Sequence, residues 1–395
     1  MYQYISFCFA DKVFKSLDID EIANTLVSGG TKEEFRKIYQ EKIESWKVKD
    51  VKFCITGGSR TGKSSFINAI TGCQKGQKGF ATVSVYGDTT NKAACYTHPK
   101  HSKFQLWDLP RFGTVQHKSE GYVNDMEFTK FDYVLIFFDV ISENDIWLAK
   151  QLKRLMKSFC FVRSKLDQDI TNEMQHDCNT IACNIRTKAL GDLEKEQISG
   201  VDVFVISSAD TTIGNFESLI NHMENNLDEG KYAAVIYSLA SISKPVIGEK
   251  FKVLHKRISM IAVVSMLFKD DREITTHSRS DIILTNLKNE IMFYINTFEL
   301  TPPVVQKLME HSTFQMRDIL CRSGEEIKKI VKNSLESKNE KIFSFPQMPS
   351  LFRESEILLN TILVGLQNDA LYVFGQLPTF KGKVVEQENI SISNV

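Results

Sequence analysis

The central part of the chain alternates short apolar runs with polar or amphipathic stretches. From residue 51 to about 222 the apolar runs are VKFCIT, KFQLW, YVLIFF, FCFVR and VDVFVI, and turn residues or a helical pattern follow each of them. Strands that alternate with helices predict a mostly parallel β-sheet with helices on both faces. We therefore expect an α/β domain in this part of the chain.

Helical periodicity dominates on both sides of that domain. Before it, apolar residues recur at three- and four-residue steps between residues 11 and 48. After about residue 226, helix patterns are interrupted at prolines, and the apolar stretches 251–268 and 355–374 favour buried helices. The pattern predicts four parts: a helical segment over 1–48, an α/β domain over 49–225, a helical domain over 226–385 and a frayed tail over 386–395.

Length and composition fit this organisation and exclude some classes of protein. A chain of 395 residues is too long for one core, so we expect two or three domains. The 49 basic residues balance the 49 acidic ones, so net charge provides no attraction to nucleic acid, and we expect no nucleic-acid partner. The eight cysteines are scattered without CxxC pairs, which favours reduced thiols over a disulfide framework.

Targeting patterns and long apolar segments are missing from the sequence. The first residues lack the basic flank and apolar run of a signal peptide, residue 2 is Tyr rather than a myristoylated Gly, and no prenylatable Cys stands near the end. The longest apolar stretch, 258–268, is too short to span a bilayer. An amphipathic membrane helix is the alternative to a core helix for 251–268. We expect a cytoplasmic protein.

The strongest motif lies where the first predicted strand meets the first predicted helix. The sequence GGSRTGKS fits the pattern GxxxxGK[ST] between VKFCIT and SSFINAI. Backbone N–H groups of such a loop point at phosphate, and the helix dipole adds positive charge, so a phosphate site is favoured over an ordinary glycine turn. Lys63 would contact the β- and γ-phosphates, and the Ser64 hydroxyl would bind Mg²⁺. The predicted phosphate contacts are Gly57, Gly58, Ser59, Arg60, Thr61, Gly62, Lys63, Ser64 and Ser65.

A second motif indicates which base the nucleotide carries. The sequence SKLD follows the buried run FCFVR, where a carboxylate at Asp167 would accept both N–H donors of guanine while the Lys165 stem covers the ring. Adenine presents a different pattern, which Asp167 would reject. Taken alone, SKLD could be an ordinary surface pair of Lys and Asp, but its place at a strand end downstream of a P-loop favours guanine. The predicted base contacts are Ser164, Lys165, Asp167, Ser207 and Ser208.

Four segments together resemble the interferon-inducible immunity-related GTPases. They are GGSRTGKSSFINAITG, DTTNKAACYTHP, WDLPRFGT and FTKFDYVLIFFDVISENDIWLAKQLKRLMKSFCFVRSKLDQDI, and the helices before them and TPPVVQKLMEHS are similar as well. The resemblance implies a Ras-like P-loop GTPase domain packed with an all-α domain built from both termini. It also implies cell-autonomous defence against intracellular pathogens, peripheral association with internal membranes (ER, Golgi or vacuolar), and GTP-dependent assembly into homo-oligomers or with related GTPases.

The resemblance also assigns residues of the nucleotide switches. Thr90 matches the threonine whose hydroxyl completes the Mg²⁺ shell in the GTP state, although Thr89 is equally placed. Asp88 stands where the family has an acidic residue used in pairing of GTPase domains, and a solvated turn residue is the alternative. Asp108 matches the DxxG aspartate, which holds Mg²⁺ through water.

Arg111 replaces the glycine of that DxxG motif. The glycine donates its N–H to the γ-phosphate; an arginine keeps the N–H, but a left-handed conformation would cost it roughly 1–2 kcal/mol. Phe112 stands near the place of a water-orienting glutamine and cannot orient water. Hydrolysis would then need a partner subunit, or Arg111 itself as a charge-stabilising arginine, while an arginine turned to solvent is the plainer alternative.

Together these patterns predict a guanine-nucleotide-binding GTPase that requires GTP and Mg²⁺ and hydrolyses GTP to GDP slowly, in an assembly-dependent way. Lys63, Thr90 and Arg111 are the candidate catalytic residues, and Ser64, Thr90 and Asp108 the candidate metal ligands. The alternative is a catalytically weak GTP-binding regulatory or scaffold protein, because Arg111 has removed useful turnover. A P-loop ATPase or kinase is a third hypothesis, and Asp167 argues against it.

Overall fold

The structure is a computed structural model, and it describes residues 32–82, 93–110, 119–172, 177–241, 243–266, 276–300 and 348–376. The chain divides into two compact units. One is formed by Trp46–Val246, and the other combines Met1–Ser45 with Ile247–Val395. The boundaries that the sequence pattern places at 48/49 and 225/226 stay a prediction.

A six-stranded sheet forms the centre of the unit Trp46–Val246. Its strands follow one another in space as β2-β3-β1-β4-β5-β6, and every neighbouring pair is parallel except β2 and β3. This confirms the predicted α/β P-loop GTPase fold with a mostly parallel sheet. The strands are β1 (Val51–Gly57), β2 (Ala94–His98), β3 (His101–Asp108), β4 (Tyr133–Phe137), β5 (Phe159–Arg163) and β6 (Val203–Val205).

The central strands are buried along almost their whole length, which explains their continuous apolar runs. All five residues of β4 are buried, as are six of the seven in β1. Strand β2, with the sequence ACYTH, was not among the predicted strands. It lies at the edge of the sheet and alternates partly exposed and exposed positions, so it lacks the apolar run by which the other strands were predicted.

Helices connect the strands and flank the sheet. One of them, α4, begins with a capping box: the Ser142 N–H donates to the Asp145 carboxylate at 2.9 Å, and the Asp145 N–H donates to the Ser142 hydroxyl at 3.3 Å. The described helices as far as Ser238 are α1 (Lys32–Val48), α2 (Lys63–Thr71), α3 (Ser119–Asp125), α4 (Glu143–Arg154), α5 (Leu166–Asn172), α6 (Cys178–Lys195), α7 (Phe216–Asn226) and α8 (Glu229–Ser238).

In the later part of the chain, the described residues form helices. Its described helices are α9 (Lys244–Lys256), α10 (Ile258–Met266), α11 (Thr276–Thr297) and α12 (Met348–Gln376). The predicted helix 355–374 lies within α12, where Leu359 and Leu363 are fully buried and Ile357 is 56% exposed, so only one face of its apolar stretch is covered. Within the described ranges, no helix is long and apolar enough to cross a membrane.

The prediction of one continuous helix over 251–268 is wrong, because α9 and α10 are separated by a turn at Arg257. The Arg257 side chain is buried there, its Nε lies 2.8 Å from Glu290 Oε1 on α11, and its guanidinium stacks 4.5 Å from the centre of the Phe293 ring. The buried positive charge of Arg257 is therefore compensated by the negative charge of Glu290 on another helix. This ion pair cannot be deduced from the apolar run around Arg257.

Candidate nucleotide-binding site

The loop predicted to hold phosphate connects β1 to α2. Gly57, the last residue of β1, has a φ of +124°, and a Cβ at this position would lie 1.8 Å from the carbonyl oxygen of Phe137 on β4. Thr61 is buried, and its hydroxyl donates to the Gly58 carbonyl at 2.9 Å. The loop is therefore held tightly against the end of β4, and only glycine fits at its start.

Helix α2 starts at Lys63, and its first turn faces the loop. Gly62 caps the helix in a left-handed conformation with a φ of +95°, and its carbonyl accepts from the Phe66 N–H at 2.9 Å. The Lys63 ammonium donates to the carbonyls of Gly58 at 2.7 Å and Gly57 at 3.1 Å. The first N–H groups of a helix have no partner within it, so these N–H groups and the ammonium bring positive charge to the start of α2, which suits phosphate.

The other loop residues differ in how their side chains are placed. Ser59, Ser64 and Ser65 are half-buried, whereas Arg60 is exposed. Arg60 also has a positive φ of +61°. Of the predicted phosphate set, Arg60 would therefore contribute its backbone N–H rather than its guanidinium.

Asp108 ends β3 next to the loop. Only 2% of its surface is exposed, and it is paired in register with Ile55 of β1. Burial raises the pKa of the Cys54 thiol and of the Tyr122 hydroxyl, and the negative charge of Asp108 adds to both shifts. Asp108 is thus a buried carboxylate at the carboxyl edge of the sheet, beside the strand that leads into the P-loop.

Ser64 and Asp108 fit the donor set that Mg²⁺ prefers. A hydroxyl after β1 and a carboxylate at the end of the neighbouring β3 are hard oxygen donors at one edge of the sheet. In the described part of the chain, no group of three or more His, Cys, Asp and Glu residues forms a separate metal cluster. The other predicted switch positions, Asp88, Thr89, Thr90, Arg111 and Phe112, lie outside the described residues.

The predicted base motif begins where β5 ends. Ser164 is 1% exposed, and its hydroxyl forms a hydrogen bond with that of Ser208 at 3.3 Å. Lys165 has a left-handed φ of +66°, after which α5 starts at Leu166. The Leu166 N–H donates to the Ile206 carbonyl at 3.1 Å, which joins the SKLD segment to the end of β6.

Ser207 contacts Asp167 directly. Its hydroxyl is fully buried, donates to Asp167 Oδ1 at 2.6 Å, and accepts from the N–H groups of Ala209 at 3.1 Å and Asp210 at 3.0 Å. Ser207 therefore contacts the carboxylate of the predicted base motif, and its predicted contact with a base stays a prediction. A carboxylate offers about four acceptor positions, so the Asp167 carboxylate retains acceptor capacity for two further donors.

The two predicted motifs meet in space. A Cβ at Gly62 would lie 2.8 Å from the Ser164 hydroxyl oxygen and 3.9 Å from Lys165 Cγ. The phosphate loop and the base motif are far apart in sequence, yet they form one continuous surface at the carboxyl ends of β1 and β5. Ligands of open α/β sheets bind at this edge, where the strand order reverses around β1.

The sequence patterns missed three charged residues beside this surface. Arg163, the last residue of β5, has its Nη2 2.9 Å from Asp169 Oδ1 and 3.0 Å from Asp139 Oδ1, and its Nη1 donates to the Ser164 carbonyl. Burial raises the pKa of Asp169 although Arg163 opposes that shift. The only signal in the sequence is an arginine that closes the apolar run FCFVR.

Comparison with known proteins gives consistent matches over most of the chain. Residues 16–356 match the family model described as Interferon-inducible GTPase (IIGP). The chain is 27% identical over 346 residues to Interferon-gamma-inducible GTPase 10 of Mus musculus, and the match covers 82% of each protein. It is 25% identical over 354 residues to T-cell-specific guanine nucleotide triphosphate-binding protein 2 of Mus musculus, covering 84% of this chain and 82% of that protein.

Among solved structures, the FeoB G-domain from Methanococcus jannaschii aligns with 45% of this chain and 98% of its own, with 19% identity and a TM-score of 0.28. The family match rests on the sequence and runs from residue 16 to residue 356. The chain belongs to the interferon-inducible, or immunity-related, GTPases, a family of proteins that bind guanine nucleotides and hydrolyse GTP.

Proposed function

We propose that this GTPase binds GTP and GDP together with Mg²⁺ at the edge of the sheet where β1, β3 and β5 end. The observation that carries the proposal is the close approach of Gly62 to Ser164, with 2.8 Å between the position of a Cβ and the hydroxyl oxygen. Phosphate and base motifs that touch in this way support a single site for one nucleotide.

At the phosphate end, Lys63 would contact the β- and γ-phosphates, as its ammonium already lies over the loop carbonyls. The N–H groups of Gly57 to Ser65 would surround the phosphates. The Ser64 hydroxyl and, through water, the buried Asp108 carboxylate would hold Mg²⁺, which neutralises the phosphate charge when it is bound.

At the base end, Asp167 would accept from both N–H donors of guanine, and Lys165 would cover the ring. The 2.6 Å bond from Ser207 supports this role, because it holds the carboxylate in one orientation before nucleotide arrives. Adenine offers no matching pair of donors at that edge, so ATP would leave the Asp167 carboxylate without its partners.

Asp167→Asn tests the base assignment. The amide donates where the carboxylate accepts, so the variant should bind GTP more weakly by about 1–3 kcal/mol and favour xanthosine triphosphate. Asp192→Asn is the matched control, because Asp192 pairs with Lys195 on α6, away from both motifs. Equal competition by ATP and GTP for the unmodified protein would show that the base assignment is wrong.

We further propose that hydrolysis is slow in the monomer and is completed by assembly, either of identical chains or with related GTPases. The proposal rests on two residues. Arg111 stands in place of the switch glycine, and Phe112 cannot orient water as the glutamine of Ras-like enzymes does. Thr90 would join the Mg²⁺ shell with GTP. The expected result is a specific activity that rises with protein concentration when GTP turnover is measured across a dilution series.

The second candidate is a GTP-binding regulatory or scaffold protein without useful turnover, which the same Arg111 favours. Such a protein would bind GTP and GDP normally but show a low, concentration-independent turnover. The dilution series therefore separates the two candidates. A flat profile together with tight GTP binding would support the scaffold.

The wider role that we propose is that of a defence effector at internal membranes, as the family resemblance implies. GTP-loaded protein should sediment with vesicles of internal-membrane lipid composition more than GDP-loaded protein does. The Lys63→Ala variant, which should bind GTP more weakly, is the control at a GTP concentration that saturates only the unmodified protein. Equal sedimentation of all three samples would contradict a GTP-dependent membrane role.

A further inference from the structure

We propose that Arg163 is a positioning residue for guanine recognition: together with Asp169 and Asp139 it fixes the direction in which the Asp167 carboxylate points. The inference rests on the proposed role of Asp167. It adds a specificity-determining group that lies behind the base motif and does not itself touch nucleotide.

The Arg163 guanidinium makes polar contacts with three other residues. Its Nη2 lies 2.9 Å from Asp169 Oδ1 and 3.0 Å from Asp139 Oδ1, and its Nη1 donates to the carbonyl of Ser164. One planar group therefore links the end of β5, the loop after β4 and the first turn of α5. A guanidinium suits this task because its donors are held in a rigid fork.

Two carboxylates, Asp167 and Asp169, lie in the first turn of α5. Residues two apart in a helix are separated by roughly 200° around its axis, so Asp167 and Asp169 lie on nearly opposite sides. Asp167 is bonded on one side by Ser207 at 2.6 Å, and Asp169 on the other by Arg163 at 2.9 Å. Two bonds on opposite sides prevent the first turn of α5 from rotating, and this fixes the aim of Asp167.

The backbone that leads into this turn has an unusual conformation at Lys165. Lys165 has a left-handed φ of +66°, a conformation that non-glycine residues keep only when their surroundings impose it. The bond from Arg163 to the Ser164 carbonyl restrains the peptide just before Lys165. Without this restraint, we expect Lys165 to relax and α5 to turn, which would displace Asp167 from the plane of the base.

The degree of burial indicates which carboxylate partner of Arg163 contributes more to positioning. The Arg163 and Asp169 side chains are 13% and 22% exposed, whereas Asp139 is 72% exposed. An exposed partner contributes little to an ion pair because water screens it. The Arg163–Asp169 bond should therefore dominate, and Asp139 should have a smaller effect.

The test compares GTP with inosine triphosphate, which lacks the exocyclic amine of guanine. The preference for GTP over inosine triphosphate reports the hydrogen bond between that amine and the Asp167 carboxylate. Arg163→Met should reduce this preference by roughly threefold to tenfold, which corresponds to part of the free energy of one charge-assisted hydrogen bond. It should also speed GDP dissociation to a similar extent. A purely structural role would weaken both triphosphates equally and leave their ratio unchanged.

Further variants keep the test decisive if Arg163→Met fails to fold. Asp169→Asn removes the ion pair with little change of shape and should lower the preference in the same direction, while Asp139→Asn should change it less. Arg186→Met is the matched control, because Arg186 donates to the Val203 carbonyl of the same sheet but not to the base motif. That control should keep the wild-type preference.

The outcomes separate this inference from the function on which it rests. If Asp167→Asn fails to shift binding from GTP toward xanthosine triphosphate, the base assignment itself fails. If Asp167→Asn does shift binding, but Arg163→Met and Asp169→Asn both retain the wild-type preference for GTP over inosine triphosphate, the positioning role of Arg163 is refuted and the guanine site stands.

Discussion

Gly62→Ala perturbs the point at which the phosphate loop meets the base motif. Gly62 has a φ of +95°, and a Cβ there would lie 2.8 Å from Ser164 Oγ and 3.0 Å from Ser164 Cβ. The left-handed conformation costs an alanine roughly 1–2 kcal/mol. Moving the buried Ser164 hydroxyl away from Ser208, with which it now bonds at 3.3 Å, adds about 1 kcal/mol. The expected total is about 2–3 kcal/mol.

This free-energy cost is divided between two measurable quantities, the unfolding free energy and the free energy of GDP binding. The structure predicts the sum of the two losses. If the loop keeps its conformation, the variant should lose about 2–3 kcal/mol of unfolding free energy in urea and bind GDP normally. If the loop relaxes in the free protein, stability is retained and the cost appears on binding, so that GDP affinity falls by roughly 30- to 150-fold. Calorimetric titration with GDP and urea denaturation of the same samples measure both parts.

A double-mutant cycle identifies the contact responsible. Ser164→Ala removes the hydroxyl that the new methyl group meets, so it should recover about 1 kcal/mol in the Gly62→Ala background. Gly191→Ala is the control, because a methyl group added to this α6 glycine would have no atom within 4 Å, and it should stabilise the protein by up to about 1 kcal/mol. Wild-type stability together with wild-type GDP affinity in Gly62→Ala would refute the close approach of the two motifs.

Three further predictions concern charge and pH. Lys63→Ala should weaken GTP and GDP binding by roughly 10- to 100-fold through loss of a charge-assisted contact, and unchanged binding in a titration would contradict the P-loop assignment. Arg111→Gly should leave GDP affinity nearly unchanged and raise GTP affinity by up to about tenfold, whereas a lower single-turnover rate at every protein concentration would show that Arg111 is catalytic. Burial lowers the pKa of His222 although Asp202 opposes the shift, so the unfolded chain binds more protons. The His222 contribution to stability should therefore be complete above a pH of about 6.5 and be lost as the pH falls through the folded pKa; His222→Gln should flatten this part of a denaturation profile, and an unchanged slope would contradict it.

Local sequence was sufficient for the parts of the fold that are built from adjacent residues. The segment GGSRTGKS carries its own turn glycine, its lysine and its helix start, so the P-loop could be predicted without knowledge of any partner strand. The same holds for the apolar runs of the largely buried strands β1, β4, β5 and β6, because a strand covered on both faces needs apolar residues throughout. The family resemblance rested on such contiguous segments and is confirmed.

Prediction failed where a residue depends on an element distant in sequence. Strand β2 lacks an apolar run because it lies at the sheet edge, and its position beside β3 follows from antiparallel pairing rather than from its own composition. Arg257 interrupts a predicted helix, and its burial is tolerated because Glu290 of another helix meets it. Neither the edge position of β2 nor the burial of Arg257 can be deduced from the neighbouring residues in the sequence.

In the candidate site, too, local sequence predicts some features and only the tertiary structure decides others. The sequence by itself predicts Lys63, Ser164, Asp167 and Ser207 as site residues and predicts Ser207 against the base, whereas the structure places the Ser207 hydroxyl on the Asp167 carboxylate. Only the tertiary structure brought Gly62 against Ser164 and joined Arg163 to Asp139 and Asp169. The physical reason is the parallel sheet: it aligns the carboxyl ends of β1, β4, β5 and β6 at one edge, so side chains that follow different strands meet there whatever their separation along the chain.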